Sequence, residues 1–276
     1  PRLKNTRANF NDSTVKLLYI PNSNNQLTYT NFLSNDFYQL DLISSVENII
    51  SSSNQYEFST INHSLKWLHT FKNDTNLTGS LIHSSYKPKN LFPEIDSDNV
   101  ISFESQVDYS SIQFEYLNSN NDNFDIYSGL QLNRYQVSPG NLNPGFGNNI
   151  NPVDLDKETG YEASIYANFN WDLNEKLKFS TGIRLTQFLL TGPFQESQYS
   201  TEGIVDSIEY FDNNELVVDY FNPEPRIGIN FSRNRARNIS IRTINFTIDF
   251  TRFSNNNFPG GGDVSFNYTI NSKVCF

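Results

Sequence analysis

Three histidines, His63, His69 and His83, are the side chains in this sequence best suited to bind a metal or haem near neutral pH. All three fall in one predicted β-hairpin with its turn at 72–75. That turn predicts His83 diagonal to His63 on one face, within reach of a shared metal or haem. Two histidines without a carboxylate or thiol partner are a poor ligand set, so an interfacial girdle is the favoured alternative. The other residues predicted on this face are Ile61, Leu65, Trp67 and Phe71.

Two groups of alternating carboxylates have a spacing related to that of calcium-binding loops. Asp154, Asp156 and Glu158 are followed by Gly160, but this glycine falls one place late and the glutamate of the twelfth position is missing. Solvated loop charge is therefore the favoured interpretation. The same interpretation applies to Glu94, Asp96 and Asp98.

Aromatic residues in a long predicted connection, 188–224, are the first candidates for binding a ligand. Rings of this kind stack on a sugar or a chelate. Ordinary loop packing or an aromatic girdle at a membrane surface is the favoured alternative. A second long connection, 138–158, is the other place where ligand selection is expected. The candidate ligand-binding residues are Tyr199, Tyr210, Phe211, Tyr220 and Phe221.

Other chemistry finds little support in the sequence. The catalytic motifs G-x-S-x-G and H-E-x-x-H do not occur, and no glycine-rich loop has the pattern that binds phosphate. The single cysteine, Cys275, excludes an internal disulfide framework. A formal charge of -10 argues against a nucleic-acid partner. We therefore expect no cofactor and no enzymatic activity, although an outer-membrane barrel hydrolase stays an alternative.

The elements that position these residues are β-strands, because the clearest periodicity is two. In one segment Ile165, Phe169 and Trp171 alternate with polar residues, and the pattern resumes after a turn at 174–176. We predict eleven strands and no helix. They lie near 8–20, 26–39, 59–71, 76–87, 99–117, 124–137, 161–173, 177–186, 225–232, 238–252 and 263–276.

The connections between these strands alternate between short and long. The long ones lie at 40–58, 88–98, 138–158, 188–224 and 253–262. Outer-membrane barrels have short periplasmic turns at one rim and long external loops at the other. Only the lipid-facing half of each strand must then be apolar, which explains why just 37% of the residues are hydrophobic although 14% are aromatic. The sequence thus predicts an antiparallel transmembrane β-barrel.

Three further features bear on this barrel. Apolar parity changes between Tyr109 and Ile112 and between Thr243 and Ile244, which predicts a β-bulge or an error of register. The last strand ends in Phe276, which is similar to the signal that barrel-assembly machinery recognises. Eleven is an odd count, whereas bacterial single-chain barrels have an even one. This count predicts the downstream part of a larger barrel.

Several stretches of the sequence resemble a known family. The runs Gly160–Phe188 and Tyr220–Phe231 contain a strand ending in W-x-L, a tight turn before K-L, a G-x-R strand and a PR strand. With Ile61–Phe71 and Phe103–Gly140 upstream, they resemble the barrel of TonB-dependent outer-membrane receptors, in particular the Bacteroidetes-type group. The matching positions are Trp171, Leu173, Lys176, Leu177, Gly182, Arg184, Pro225 and Arg226.

The resemblance implies a barrel of about 22 strands filled by an N-terminal plug. Residues 1–276 are then a partial barrel domain, without the plug and signal peptide. The implied function is TonB-dependent uptake of an iron chelate, glycan, peptide or cobalamin-like ligand across the Gram-negative outer membrane. The implied partners are outer-membrane lipid or lipopolysaccharide, the TonB system acting through a plug, and a lipoprotein lid.

A secreted β-sandwich adhesin that binds glycans is the competing interpretation of the same alternating pattern. It predicts that the apolar residues Ile165, Phe169, Phe179 and Ile183 face a second sheet.

Overall fold

In a computed structural model the chain is built from antiparallel β-strands. The structure describes residues 6–40, 44–46, 49–51, 53–72, 75–95, 98–121, 123–147, 149–200, 203–233, 241–252 and 264–275. The strands are β1 (Arg7–Asn22), β2 (Asn25–Leu40), β3 (Ser44–Val46), β4 (Ile49–Ser51), β5 (Asn54–Thr70), β6 (Thr75–Pro93), β7 (Val100–Asn121), β8 (Phe124–Asn143), β9 (Val153–Asp154), β10 (Glu158–Asn174), β11 (Leu177–Thr191), β12 (Phe194–Tyr199), β13 (Val205–Phe211), β14 (Leu216–Arg233), β15 (Ile241–Arg252) and β16 (Val264–Cys275).

Eleven of these strands form one continuous sheet in the order β1-β2-β5-β6-β7-β8-β10-β11-β14-β15-β16. Each pairs antiparallel with its neighbours, so the sheet is a meander in which successive long strands lie side by side. Short β9 adds to β8, while β3-β4 and β12-β13 are separate hairpins. The eleven predicted strands correspond to this order, which confirms the all-β prediction. Within the described residues, no helix is both long and apolar enough to cross a membrane.

Asparagine side chains close two of the tight turns. In the turn between β10 and β11, Asn174 Oδ1 accepts hydrogen bonds from the backbone N–H of Lys176 at 2.9 Å and of Leu177 at 3.0 Å. Asn22 Oδ1 accepts one from the backbone N–H of Asn24 at 3.0 Å in the turn between β1 and β2. Such side-chain acceptors stabilise a turn locally. The predicted turn at 174–176 is confirmed, and a tight turn also fills the gap between the predicted strands 8–20 and 26–39.

Four long connections differ from the prediction. Two of them are 40–58, where β3 pairs with β4 and β5 begins at Asn54, and 138–158, where β8 continues to Asn143 and β9 follows. The segment predicted as the loop 188–224 is largely strand, because β11 continues to Thr191, β14 begins at Leu216, and β12 and β13 pair between them. The predicted loop 88–98 shrinks to 94–99, because β6 continues to Pro93 in its pairing with β7. The added strand residues do not alternate: 188–190 and 216–218 are apolar on both parities, and 88–93 and 194–211 mix polar and apolar residues on both. Neither pattern gives a period-two hydrophobic signal.

The parity changes are not β-bulges. Pairing of β7 with β6 and β8 runs through Tyr109 and Ile112 without a register shift, and β15 keeps one register with β14 and β16 through Thr243 and Ile244. The register shifts of β7 fall instead between Glu104 and Gln106 and near its turn. Tyr109 lies on the polar face of the sheet. An aromatic residue on that face looks, in the sequence, like a change in which positions are apolar.

The two faces of the sheet differ in chemistry, because cross-strand partners in a β-sheet share a face. We call the two sides the apolar face and the polar face. One cross-strand row of the apolar face is Leu17, Tyr29, Leu65, Leu81, Ile112, Leu132 and Ala163. The adjacent row of the polar face, one residue closer to the short turns, is Thr28, Lys66, Ser80, Gln113, Gln131, Ser164 and Thr186.

Burial on these faces is the reverse of that in a water-soluble protein. Leu81 is 51% exposed and Ile165 57% exposed on the apolar face, whereas Ser164 is 2% and Asn133 4% exposed on the polar face. No second sheet among the described residues covers the apolar face. The β-sandwich prediction is therefore wrong for this part of the chain, since Ile165 and Ile183 face no other sheet.

A small cluster at the long-connection end contains Ile101, the one buried hydrophobic side chain among the described residues. Beside it, the Ser51 hydroxyl donates to the carbonyl oxygens of Ser53 at 2.6 Å and Pro93 at 2.9 Å. Asn99 Nδ2 donates to the carbonyl of Pro144 at 3.1 Å. These bonds tie three long connections together at one end of the sheet.

Candidate functional site

The polar face holds a network of hydrogen bonds centred on Arg184 of β11. Its guanidinium donates to Ser164 Oγ at 2.8 Å and Gln131 Oε1 at 3.3 Å, and forms an ion pair with Glu162 at 3.5 Å. The same group lies 5.7 Å from the ring centre of Tyr166, a distance at which a cation is attracted by the ring. One arginine thus connects side chains from three neighbouring strands.

A second cluster on this face surrounds Glu115 of β7. The Tyr127 hydroxyl donates to Glu115 Oε1 at 2.5 Å, and the Tyr166 hydroxyl lies 3.2 Å from the same oxygen. The two tyrosine hydroxyls are 3.3 Å apart. Hydrogen bonds to an ionised carboxylate are among the stronger ones in proteins. This cluster therefore fixes the orientation of both rings.

Strand register brings the two clusters together. Glu115, Gly129, Tyr166 and Arg184 are consecutive partners in one cross-strand row over β7, β8, β10 and β11. Because Gly129 has no side chain, the Tyr166 ring lies across it and reaches Glu115. A Cβ at position 129 would be 2.5 Å from Tyr166 Cζ and 2.8 Å from the Phe114 carbonyl oxygen. The glycine is thus a geometric requirement of the site.

The network extends along the polar face toward the long connections. Asn133 Nδ2 donates to Glu162 Oε1 at 3.1 Å, and the Tyr109 hydroxyl donates to Asn133 Oδ1 at 3.0 Å. A cleft of about 280 Å³ opens over its other end. Residues lining this cleft include Gln113, Glu115, Tyr127, Tyr166, Arg184 and Arg226. Charged and hydroxyl groups thus meet a space large enough for water or a polar ligand group.

Aromatic rings follow on the same face, closer to the long connections. Tyr56 and Phe58 lie with ring centres 6.5 Å apart and planes 6° apart, and Phe58 and Tyr86 6.4 Å and 4° apart. Tyr109 and Tyr135 make a closer pair at 5.3 Å. The polar face therefore changes from hydrogen-bonding groups to ring surfaces along the strands.

The sequence-predicted ligand-binding residues are not brought together. Tyr220 lies on the polar face, where its ring stacks on Phe188 at 6.3 Å, whereas the next residue, Phe221, lies on the opposite face and is 52% exposed. Tyr210 of β13 is 70% exposed. The ring centres of Phe211 and Phe194 are 6.5 Å apart. Tyr199 ends β12 as the backbone partner of Val205. Their role in binding a ligand stays a prediction.

The histidines lie on the apolar face, but not in the predicted register. His63 and His83 are direct cross-strand partners, not diagonal ones, because β5 and β6 pair with Thr70 opposite Asn76. His63 Nδ1 lies 2.9 Å from the Tyr29 hydroxyl, and His83 Nδ1 lies 3.0 Å from Ser110 Oγ. His69 Nδ1 instead contacts Asn25 Oδ1 at 2.9 Å. Each ring is therefore held by a polar neighbour of its own.

The alternating carboxylates are dispersed. Asp154 belongs to β9 and accepts a hydrogen bond from Asn141 at 3.2 Å, whereas Glu158 begins β10 opposite Val137. The backbone of Glu94 forms an isolated antiparallel β-bridge with Ser51, and Asp96 lies outside the described residues. In the part of the chain that the structure describes, no three histidine, cysteine, aspartate or glutamate side chains form a group that could hold a metal ion.

Of the polar network, sequence reasoning singled out Arg184 alone, as the arginine of the G-x-R strand, because no motif joins it to Glu115, Glu162 or Tyr166. Glu162, Tyr166 and Arg184 occupy the parity that the alternation assigns to the polar face, so their face was predictable. Their meeting with Glu115 depends on the relative register of four strands. Gly129, an isolated glycine within a strand pattern, is the one local signal of a close approach.

A single antiparallel meander with an apolar and a polar face is the architecture of a segment of an outer-membrane β-barrel. Among solved structures, the copper transporter OprC is similar, with a TM-score of 0.66 at 9% sequence identity. The similarity covers 90% of this chain but only 37% of OprC. No protein-family model matches the chain, and no curated protein does so either.

Proposed function

We propose that this chain is part of the wall of an outer-membrane transporter of the TonB-dependent kind, in which the apolar face meets lipid and the polar face lines the ligand path. The reversed burial of the two faces carries this proposal, since exposed leucines and buried serines suit a protein whose surroundings are hydrocarbon. The similarity to OprC supports the fold. The family motifs, including Gly182 and Arg184, support the TonB-dependent group of Bacteroidetes type.

The whole transporter in this proposal is larger than the chain. It has a barrel of about 22 strands, to which this sheet contributes half, and a plug that couples to the TonB system. Coverage of 37% of OprC agrees with a partial barrel. Outer-membrane lipid or lipopolysaccharide surrounds the wall, and a lipoprotein lid over the external loops completes the proposed assembly.

The proposed cargo is a scarce nutrient such as an iron chelate, glycan, peptide or cobalamin-like molecule. The aromatic residues of the polar face support a ligand with ring or apolar surface, because such surfaces stack on Tyr and Phe. The Arg184 network supports polar contacts deeper along the strands. The proposal that this chain forms part of the barrel wall does not depend on which cargo it contacts.

Charge substitution on the two faces tests the placement of the wall. Ile165→Lys puts a cation on the apolar face, where burial of Lys at the midplane of a barrel costs about 2–4 kcal/mol. Asn62→Lys puts the same charge on the polar face. We expect Ile165→Lys to lower the amount of folded protein recovered in the outer membrane, and Asn62→Lys to leave it unchanged. Equal recovery of both variants would overturn the proposal.

Uptake by cells tests the transport step. Cells with the complete gene are supplied with a radiolabelled iron chelate, cobalamin, an oligosaccharide or an oligopeptide, with and without a protonophore. We expect accumulation of one of the four that the protonophore abolishes, because TonB-dependent uptake requires energy from the inner membrane. Accumulation that is insensitive to the protonophore would contradict the TonB-dependent mechanism.

A further inference from the structure

A row of hydrogen-bonding side chains marks the place where the apolar face stops being apolar. The row consists of His63, His83, Ser110 and Arg134, consecutive cross-strand partners on β5, β6, β7 and β8. The next row of this face toward the short turns is Leu65, Leu81, Ile112 and Leu132. The next row in the other direction, toward the long connections, is polar on β6, β7 and β8, where it consists of Ser85, Asp108 and Gln136.

The row of His63, His83, Ser110 and Arg134 lines one shallow groove of about 490 Å³. The adjacent apolar row, Leu65, Leu81, Ile112 and Leu132, lines the same groove, together with Tyr29 and Tyr161. The Nδ1 atoms of His63 and His83 already contact Tyr29 and Ser110. Within the described residues, the Nε2 atoms of both rings make no hydrogen bond. A head group at the row would therefore meet ring nitrogens that make no other hydrogen bond, and an attached acyl chain would lie against Leu81.

The charges around the row favour an anion. Arg134 forms no ion pair with any described residue, so its full charge is offered to the groove. The carboxylate of Asp108, in the adjacent row, accepts a hydrogen bond from Gln106 at 2.7 Å and another from Ser85. His83, a member of the row, and Lys87 also face that carboxylate. Asp108 is thus compensated by two hydrogen bonds and by His83 and Lys87, and Arg134 is the cation of the row that has no ion pair among the described residues.

We propose that this row binds the phosphate of an anionic lipid, whose acyl chains lie along Leu81 and Ile112. Arginine donates charge-assisted hydrogen bonds to phosphate oxygens, and a histidine ring N–H adds another hydrogen bond. The apolar groove selects a lipid over free phosphate, because free phosphate would leave the groove in contact with water. The inference rests on the proposed function, because it requires the apolar face to lie in the bilayer.

Tryptophan quenching by brominated lipids tests this site. Trp67 lies on the apolar face of β5, on the same side as His63, and a Trp171→Phe variant leaves it as the single tryptophan. The full chain is reconstituted in vesicles of phosphatidylcholine and phosphatidylglycerol in which one lipid at a time carries brominated acyl chains. We expect phosphatidylglycerol to quench Trp67 about five- to tenfold more effectively per molecule than phosphatidylcholine.

Three variants connect the preference to the row. Arg134→Gln with His83→Gln is expected to abolish the preference, while Arg134→Lys keeps part of it. Lys66→Gln removes a cation from the opposite face of the same sheet and is expected to keep all of it. Equal quenching by both lipids in the Trp171→Phe protein overturns the phosphate site, as does a preference that survives the double substitution. Quenching by neither lipid contradicts the membrane placement itself, so the two failures are distinguishable.

Discussion

Arg184 shows how single side chains are stabilised on the polar face. Its guanidinium bonds to Ser164, pairs with Glu162 and lies over the Tyr166 ring, so that one charge serves several partners. Removing it leaves the Glu162 carboxylate with the amide of Asn133 alone. A partly buried carboxylate without its counter-ion is costly, because the loss includes the desolvation of the charge left behind.

We therefore predict that Arg184→Met lowers the free energy of unfolding by about 2 kcal/mol. The measurement is the temperature to which samples must be heated before the compact band of the folded barrel disappears from a denaturing gel. Lys178→Met is the matched control, because its ion pair with Asp172 is exposed and such pairs contribute about 0–1 kcal/mol. Equal shifts in the two variants would contradict the role given to Arg184.

The sequence identifies the face of such residues but not their partners. Glu162 and Arg184 alternate with apolar neighbours, so period two alone places them on the polar face. The contact between Tyr166 and Glu115 joins positions on β10 and β7, which are separated by all of β8. This contact depends on the register of β7 with β8 and on the register of β8 with β10. A local sequence pattern contains information on neither register.

Strand pairing around Gly129 restricts which residue β8 can have at this position. The backbone of β8 passes beneath the Tyr166 ring at this position, and a Cβ would meet both the ring and the Phe114 carbonyl oxygen of β7. A backbone oxygen in a paired strand cannot move away without loss of the pairing. The site therefore constrains the strand as well as the side chains.

We predict that Gly129→Ala destabilises the barrel by about 1–3 kcal/mol, as overpacking does in other proteins, and separates Tyr166 from Glu115. The measurement combines the unfolding temperature with the ultraviolet spectrum of the tyrosines. Gly79→Ala on the apolar face is the comparison, because its nearest atom, Phe114 Cε1, is 3.3 Å away and belongs to a side chain. A larger effect at position 79 than at position 129 would contradict this geometry.

The β12-β13 hairpin shows where element prediction from sequence fails. Eleven long strands follow from alternation of apolar and polar residues, because each has one apolar face. Residues 194–211 contain polar and apolar residues on both parities, so a loop was predicted where two strands pair. This hairpin is also where the predicted ligand-binding aromatics Tyr210 and Phe211 lie.

For this hairpin we predict different results for adjacent residues. Tyr210→Ala removes a ring that is 70% exposed and is expected to weaken ligand capture at least threefold without changing the unfolding temperature. Phe211→Ala removes a contact with Phe194 and is expected to increase proteolytic cleavage within 194–211. Ligand capture is measured on whole cells with the cargo identified by uptake. Unchanged capture in Tyr210→Ala would remove this residue from the candidate site.

For the whole molecule, the reversed burial of the two faces is the central observation. Low apolar content and alternating connection lengths predicted a barrel from the sequence, and the single sheet of eleven strands confirms that architecture. The sequence alone left the sandwich open, because alternation is the same whether an apolar face meets lipid or a second sheet. Exposure of Ile165 and Leu81 distinguishes the two architectures.

The most direct test is a spin-label scan along β10 in a Cys275→Ser background, with the chain reconstituted in lipid vesicles. Single cysteines replace alternate residues of the apolar face, at Ala163, Ile165 and Ala167, and neighbouring residues of the polar face, at Asn168 and Asn170. Labels on the first set are expected to collide with lipid-soluble oxygen, and labels on the second set with a water-soluble nickel complex. Equal access of the nickel complex to both sets would contradict the central claim that the apolar face lies in the membrane.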